Sequence, residues 1–195
     1  VGTIQPIQKI AKICHKNQII FHTDAVQVVG KITVDVKELD IDLLSISSHK
    51  LHGPKGIGAL YIKDGVKINP MILGGGQEFR LRSGTENVAN IVGFGQACEI
   101  AQNHLTENTA LINKLQSQLV KKILVEIPEV TFNGHEEYRL CNNAHFTFLG
   151  VNGEDLIIKL DEYGIAASTG SACSVNTQKA SHVLEAMGFS LEQIT

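Results

Sequence analysis

Ser47-Ser48-His49-Lys50-Leu51-His52-Gly53-Pro54-Lys55-Gly56 decides how this chain is read. The run before it, Ile41-Asp42-Leu43-Leu44-Ser45-Ile46, is short, apolar and bounded by polar residues. It predicts a buried strand. Gly53-Pro54 and Gly56 are turn signals. A polar cluster with one lysine therefore leaves the end of a strand, which is where open α/β sheets place their ligands. A lysine in a partly dry pocket loses its proton more readily and can form a Schiff base with a carbonyl. On the motif alone, a polar loop with a solvated lysine is the favoured reading.

The upstream context changes that balance. Asn17-Gln18-Ile19-Ile20-Phe21-His22 predicts a second buried strand, with Asp24 just past its end. An Asp at one strand end and a Lys at another is the pairing that pyridoxal phosphate requires. The Asp keeps a proton on the pyridine nitrogen, and the Lys carries the aldehyde carbon.

Ser47-x-His49-Lys50 followed by Gly53-Pro54-Lys55-Gly56, with Phe21-His22-Thr23-Asp24-Ala25-Val26-Gln27 before it, resembles the cysteine desulfurases of the NifS and IscS type. The resemblance runs in order from Val1 to Thr195. It implies a fold type I pyridoxal-phosphate large domain, a three-layer α/β/α sheet, of which this chain holds part. A smaller C-terminal α/β domain follows. The implied division is residues 1–104 for the cofactor-binding domain and 105–195 for the small domain that carries a catalytic cysteine loop.

The chain has 195 residues, 43% hydrophobic and 19% charged, which suits one large or two small domains. A formal net charge of −3 offers no electrostatic case for nucleic acid or an acidic membrane. No apolar run is long enough to span a bilayer. Cys14, Cys98, Cys141 and Cys173 are scattered without CxxC spacing, which argues against a zinc site or a disulfide framework and fits a reducing compartment. Only two strands precede Lys50, and no glycine-rich phosphate turn does. The chain is therefore read as an internal fragment cut at both ends, with a small complete α/β domain as the alternative.

Further along, Ile7 to Lys16 has apolar residues at helical spacing, with Cys14 on the apolar face. Ala25 to Val29 predicts a short helix and Ile57 to Ile62 a third strand. Gly74 to Asn87 reads as a flexible polar loop, with Thr85 or Ser83 as a helix cap. Helices are predicted over Asn87–His104 and Asn108–Leu124, with Cys98 in the core. Val130–Phe132 and Asn143–Phe148 predict strands, with His145 structural. A helix over Glu154–Tyr163, a strand over Ile165–Ala167 and a helix over Ser181–Met187 complete the reading.

Cys173 differs from the other cysteines. Small residues and glycine surround it, and exposure with a lowered pKa makes a thiol reactive. From the residues alone, an ordinary loop cysteine stands equally well. Gly170-Ser171-Ala172-Cys173 before Ser181-His182-Val183-Leu184 resembles the persulfide-forming segment of the NifS and IscS group. The resemblance also implies roles for the other residues. Lys50 carries the cofactor, Asp24 pairs with its pyridinium nitrogen and Gln27 bonds its phenolic oxygen. Ser47 and His49 contact its phosphate, and Thr85 reaches the phosphate of a neighbouring subunit in a homodimer. Cys173 takes sulfur from L-cysteine, leaving L-alanine, and passes it to a scaffold or other acceptor for iron–sulfur cluster or thio-cofactor assembly. The implied compartment is the cytoplasm or an organelle matrix. Arg80 and Arg82 do not match the arginine that holds the substrate carboxylate, which belongs beyond Thr195.

Other readings stay open at this level. One is a selenocysteine lyase-like enzyme, and another is a non-catalytic binding module. His22, His49 and His52 fit no standard metal-ligand spacing, so no metal site is expected.

Overall fold

The computed structural model describes residues 1–170, 181–190 and 193. Within them the chain forms two compact units. One comprises Thr3–Leu115 and Glu136–Asn142; the other comprises Val1–Gly2, Gln116–His135 and the described part of Asn143–Thr195.

The first unit opens with helix α1, Ile7–Lys16. Ala11 is fully buried and Ile7 packs on the core, as the helical spacing predicts. The helix ends on a left-handed residue, Gln18, at φ 57°. The Ile19 N–H then closes on the Cys14 carbonyl at 2.9 Å, which satisfies a carbonyl that the helix end would leave open. This ending uses up residues 17–19. Strand β1 therefore is not Asn17–His22 but His22–Asp24, and Ile19 and Ile20 are exposed rather than buried.

Strand β2 is Leu43–Ser47 and β3 is Gly58–Ile62. Together with β1 they make a three-stranded sheet in the order β1-β2-β3. β1 and β2 run parallel, with His22 opposite Leu43 and Asp24 opposite Ser45. β3 returns antiparallel, with Leu44 opposite Tyr61 and Ser47 opposite Gly58.

Parallel neighbours need a crossover, and that crossover is usually helical. Here it is not. The helix expected at Ala25–Val29 is a single turn, in which the Val28 and Val29 N–H groups both reach the Ala25 carbonyl. Gly30, at φ 75°, ends it. A Cβ on Gly30 would stand 2.6 Å from the Leu51 side chain, which would have to shift, and the positive φ is one that other residues rarely adopt. The crossover is held by burial instead. Val28, Val29, Val34, Val36 and Leu39 pack with Ile7, Phe21 and Tyr61 on a core of Ala25, Ile41 and Leu44.

β2 runs directly into a 3-10 turn, Ser48–Leu51. A second cluster seats this turn on helix α2, Val88–Asn103: Leu51, Phe94 and Ala97, with Val29, Ile46, Ile57, Cys98 and Ala101 around them. Burial raises the pKa of the Cys98 thiol, in keeping with its place in the core. The cap of α2 is Asn87, whose side chain accepts from the Asn90 N–H. Ser83, expected as a cap, is buried and donates to the Gly75 carbonyl at 2.8 Å. The loop before α2 contains one turn, Glu78–Arg80, with φ of 45°, 56° and 67° at its three residues.

Helix α3, Leu105–Glu126, is continuous from one unit into the other. In the second unit β4, Val130–Phe132, pairs antiparallel with β5, Phe146–Phe148. Phe132 and Phe148 both lie against Phe146, with ring centroids 5.2 and 5.9 Å away. The Asn133 amide donates to His145 Nδ1 at 2.9 Å and to buried Thr147 at 2.7 Å, so His145 has the structural role expected of it. Helix α4, Gly153–Glu162, is capped by Asn152, which accepts from Glu154 and Asp155. The strand expected at Ile165–Ala167 does not form, because the Ile165 N–H closes α4 on the Leu160 carbonyl. Helix α5, His182–Ala186, is capped by Ser181.

A polar network sits at the end of β2 away from the lysine turn. His15 lies between two carboxylates, Nδ1 on Asp40 at 2.9 Å and Nε2 on Asp42 at 2.7 Å. Lys63 bonds Asp40 at 2.7 Å, and the Phe21 N–H donates to Asp42 at 2.9 Å. The bond to Asp42 raises the His15 pKa above its ordinary 6.5, against the opposing effect of burial. Lys63 and then His15 lower the Asp40 pKa below 3.8. Burial pushes the Asp42 carboxyl up, but the Phe21 N–H, His15 and Lys63 together outweigh it, and the net direction is down.

The signs fix a stability window. The His15 contribution is complete below about pH 6.5 and is lost as pH rises through its raised folded value. The carboxylate contribution is complete above about pH 3.8 and is lost as pH falls through the lowered values. The melting temperature is therefore highest between these limits. His15→Gln should flatten the decline on the alkaline side, and melting curves from pH 4 to 9 check it.

Candidate active site

The parallel register of β1 and β2 decides which side chains meet. Residues at i and i+2 share a sheet face, so Leu44 and Ile46 face the core while His22, Asp24, Ser45 and Ser47 share the other face. A bond of 2.8 Å between His22 Nε2 and Ser45 Oγ joins the two strands on that face. Asp24 ends β1, and Ser47 ends β2 two residues beyond Asp24's partner. Both strands thus bring polar residues to the same, carboxyl-terminal edge.

Asp24 is exposed, and its Oδ1 accepts the Val26 N–H at 2.8 Å. This Asx-type turn sets the carboxylate against the chain that follows it, and the Ala25 N–H bonds back to the Ser45 carbonyl at 2.9 Å. Gln27 is exposed in the turn beyond. Ser47 Oγ and His49 Nδ1 share a hydrogen bond of 2.8 Å.

The 3-10 turn sorts its residues by depth. Side chains three apart align in a 3-10 helix, and Ser48 and Leu51 are the buried pair. His49 is exposed and Lys50 is half-buried. Among the described residues, Lys50 Nζ has no hydrogen bond or ion pair, while its backbone carbonyl accepts from Lys31 Nζ at 2.9 Å. Lys31 is half-buried, and burial lowers its ammonium pKa; the charge of Lys50 adds to this and Cys141 opposes it.

His52, at φ 63°, and Gly53 close the turn, with the Gly53 N–H on the Ser48 carbonyl at 3.1 Å. Gly53 has no room for a side chain: a Cβ there would lie 2.3 Å from Ser48 Oγ and 2.9 Å from the Ala97 side chain. Ser48 Oγ is fully buried and has no hydrogen-bond partner among the described residues.

The structure therefore brings Asp24, Ser47, His49 and Lys50 to one sheet edge, with Gln27 in the adjoining turn. Thr85 is exposed in the segment before α2, and among the described residues its side chain makes no hydrogen bond. Cys173 lies outside the described residues. No group of three or more His, Cys, Asp or Glu side chains among the described residues is placed to hold a metal ion. The sequence reading missed Lys31 and the depth of Ser48. Neither carries a local signal, since one is a lysine in a turn and the other one serine of a Ser-Ser pair.

Chemically, the edge offers a carboxylate, a hydroxyl–imidazole pair and an amine without a fixed partner. That set can hold a cationic ring nitrogen, an anionic oxygen group and a carbonyl carbon.

Comparisons with known proteins bear on the family and the fold. The family model described as aminotransferase class-V matches residues 1–193. The chain is 50% identical over 190 residues to the cysteine desulfurase IscS of Clostridium botulinum (strain Hall), covering 96% of this chain and 48% of that protein. It superposes on a NifS-like protein from Rickettsia africae with a TM-score of 0.89 at 38% identity, covering 99% of this chain and 51% of the other. A structure of SspA in complex with cysteine matches with a TM-score of 0.77 at 35% identity, over 100% of this chain and 53% of that one. The chain thus spans about half the length of the curated relatives it matches, and over that span its fold is that of the NifS-like proteins.

The packing of the turn makes a direct prediction. Gly53→Ala should cost on the order of 1–3 kcal/mol of stability, the usual cost of overpacking. Ser48→Ala should be neutral or stabilising, because it removes a buried hydroxyl that has no partner. The double variant should recover part of the Gly53→Ala loss, because Ser48 Oγ is the nearest atom to the new methyl. Denaturant unfolding of the three variants measures the coupling.

Proposed function

The chain belongs to the class-V aminotransferase family, and from that premise we propose that it carries the lysine and cysteine of a pyridoxal-phosphate-dependent cysteine desulfurase. Members of this family depend on pyridoxal phosphate. The observation that carries the proposal is the convergence of Asp24 and Lys50 on one sheet edge through the β1–β2 register.

The donor set fits the cofactor. When bound, pyridoxal phosphate supplies an electron sink for carbanion chemistry at an amino acid, which protein side chains cannot supply. Asp24 keeps a proton on the ring nitrogen; its Oδ1 already holds the Val26 N–H, which fixes the carboxylate. Gln27 donates to the phenolic oxygen. Ser47 and His49, bonded to each other, bind the phosphate. Lys50 would hold the cofactor's aldehyde carbon through its amine, and the same amine would carry protons. Thr85 binds the phosphate of a neighbouring subunit in a homodimer.

L-Cysteine is the substrate, and a related structure, SspA, is described in complex with cysteine. Cys173 attacks the substrate sulfur as a thiolate. The sulfur–sulfur bond forms as the carbon–sulfur bond breaks; the electron pair of the broken bond goes to carbon, which takes up a proton and leaves as L-alanine, and the persulfide on Cys173 serves a scaffold or other acceptor in iron–sulfur cluster or thio-cofactor assembly. Residues 1–104 belong to the cofactor domain and 105–195 to the small domain. The break between α2 and α3 at His104 supports that division, although the compact units part later, within α3. The enzyme works in the cytoplasm or an organelle matrix.

The first test adds pyridoxal phosphate, reduces with borohydride and maps peptides. A pyridoxyl group on Lys50 that Lys50→Ala abolishes supports the reading. An adduct found only in a chain extended to the length of the relatives would place part of the site outside this span. No adduct in either would overturn the proposal. In the active protein, Cys173→Ala should reduce sulfur release to background and leave the Lys50 adduct intact. Sulfide release that survives the change would remove Cys173 from the mechanism.

A further inference from the structure

Lys31 has no part in the site described above, yet its side chain ends on the backbone of Lys50. A lysine in a turn ordinarily extends into water, where its long side chain keeps its rotamer freedom. Lys31 does not. It is half-buried, and its Nζ donates to the Lys50 carbonyl at 2.9 Å. Its own backbone is held at both ends. The N–H bonds the Val28 carbonyl at 3.0 Å, and the carbonyl accepts from Thr109 Oγ1 at 3.0 Å on α3. Gly30, next to it, packs against Leu51 of the same 3-10 turn.

Burial makes this ammonium costly to keep, and the positive charge of Lys50 adds to the cost. Water or a neutral donor could satisfy a carbonyl more cheaply. A charge-assisted bond from a side chain anchored at its base does something more: it fixes the orientation of the peptide plane. The amine of Lys50, in contrast, has no partner among the described residues and can move. The root of the side chain is clamped while its tip is free, which suits a lysine that must deliver its amine to one carbon and later leave it.

We propose that Lys31 is the positioning residue for Lys50. It clamps the Lys50–Leu51 peptide and so sets the direction in which the Lys50 side chain leaves the turn. This rests on the reading of Lys50 as the cofactor lysine.

The test uses timed labelling of the intact protein with pyridoxal phosphate below saturation, quenched with borohydride and mapped by peptide. Exposed Lys55, five residues on, serves as an internal reference. In Lys31→Met, labelling of Lys50 should slow about tenfold, the loss of one charge-assisted hydrogen bond, while Lys55 keeps its rate. Lys31→Arg, which keeps a cationic donor, should restore most of the Lys50 rate. A general loosening of the fold would move both lysines together and would not be rescued in this way, and circular dichroism reports it separately. If Lys31→Met does not fold, Lys31→Gln replaces it with the same expectation. Unchanged Lys50 labelling in a folded Lys31 variant overturns this inference and leaves the proposed function standing. No preference for Lys50 over Lys55 in the unsubstituted protein, both at this length and extended to the length of the relatives, overturns both.

Discussion

Three residue pairs between β1 and β2 hold the candidate site together. Asp24 sits opposite Ser45 because the strands run parallel in that register. A slip of β1 by one residue would turn Asp24 toward the apolar core and Thr23 toward the polar face. Burial of Leu44, Ile41 and Ala25 penalises that slip. The apolar crossover thus does more than fill space, because it fixes which side chains reach the carboxyl-terminal edge. Without a crossover helix the segment has few internal backbone bonds, and its valines and Leu39 supply the hold that a helix would otherwise share.

The turn after β2 converts this register into chemistry. Two of its four residues, Ser48 and Leu51, are driven inward against α2, so that exposed His49 and half-buried Lys50 face outward. Gly53, the Ala97 side chain and the Ser48 hydroxyl are packed too tightly for an added methyl. Such density transmits position: where α2 seats the turn, the root of Lys50 is set. The cost is one buried hydroxyl without a partner among the described residues, a local compromise next to a functional turn.

The opposite end of the sheet is built on another principle. Asp42, buried just before β2, is compensated by the Phe21 N–H, His15 and Lys63. These bonds tie α1, the entry to β1 and the end of β3 around the start of β2. Charge holds the end away from the lysine and apolar packing holds the turn. The first responds to pH, whereas the second responds to volume.

Much of this was legible in the residues. Local sequence pattern located β2, β3, β4 and the five helices α1–α5, and the Ser-x-His-Lys and Gly-Ser-Ala-Cys motifs pointed to the family that the comparisons then showed. Local pattern failed where a long-range bond outweighed it. Asn17–His22 lost its first half to the cap of α1, Ala25–Val29 stopped short of a helix at Gly30, and Ile165 went to closing α4. The sequence by itself determined which residue types the chain brings to the site, because spacing and side-chain chemistry are local properties. Only the tertiary structure decided that Asp24 and Lys50 share an edge, that Ser48 is buried and that Lys31 ends on the Lys50 carbonyl. Those facts depend on contacts between residues far apart in the chain, set by strand register and core packing, which no short window of sequence contains.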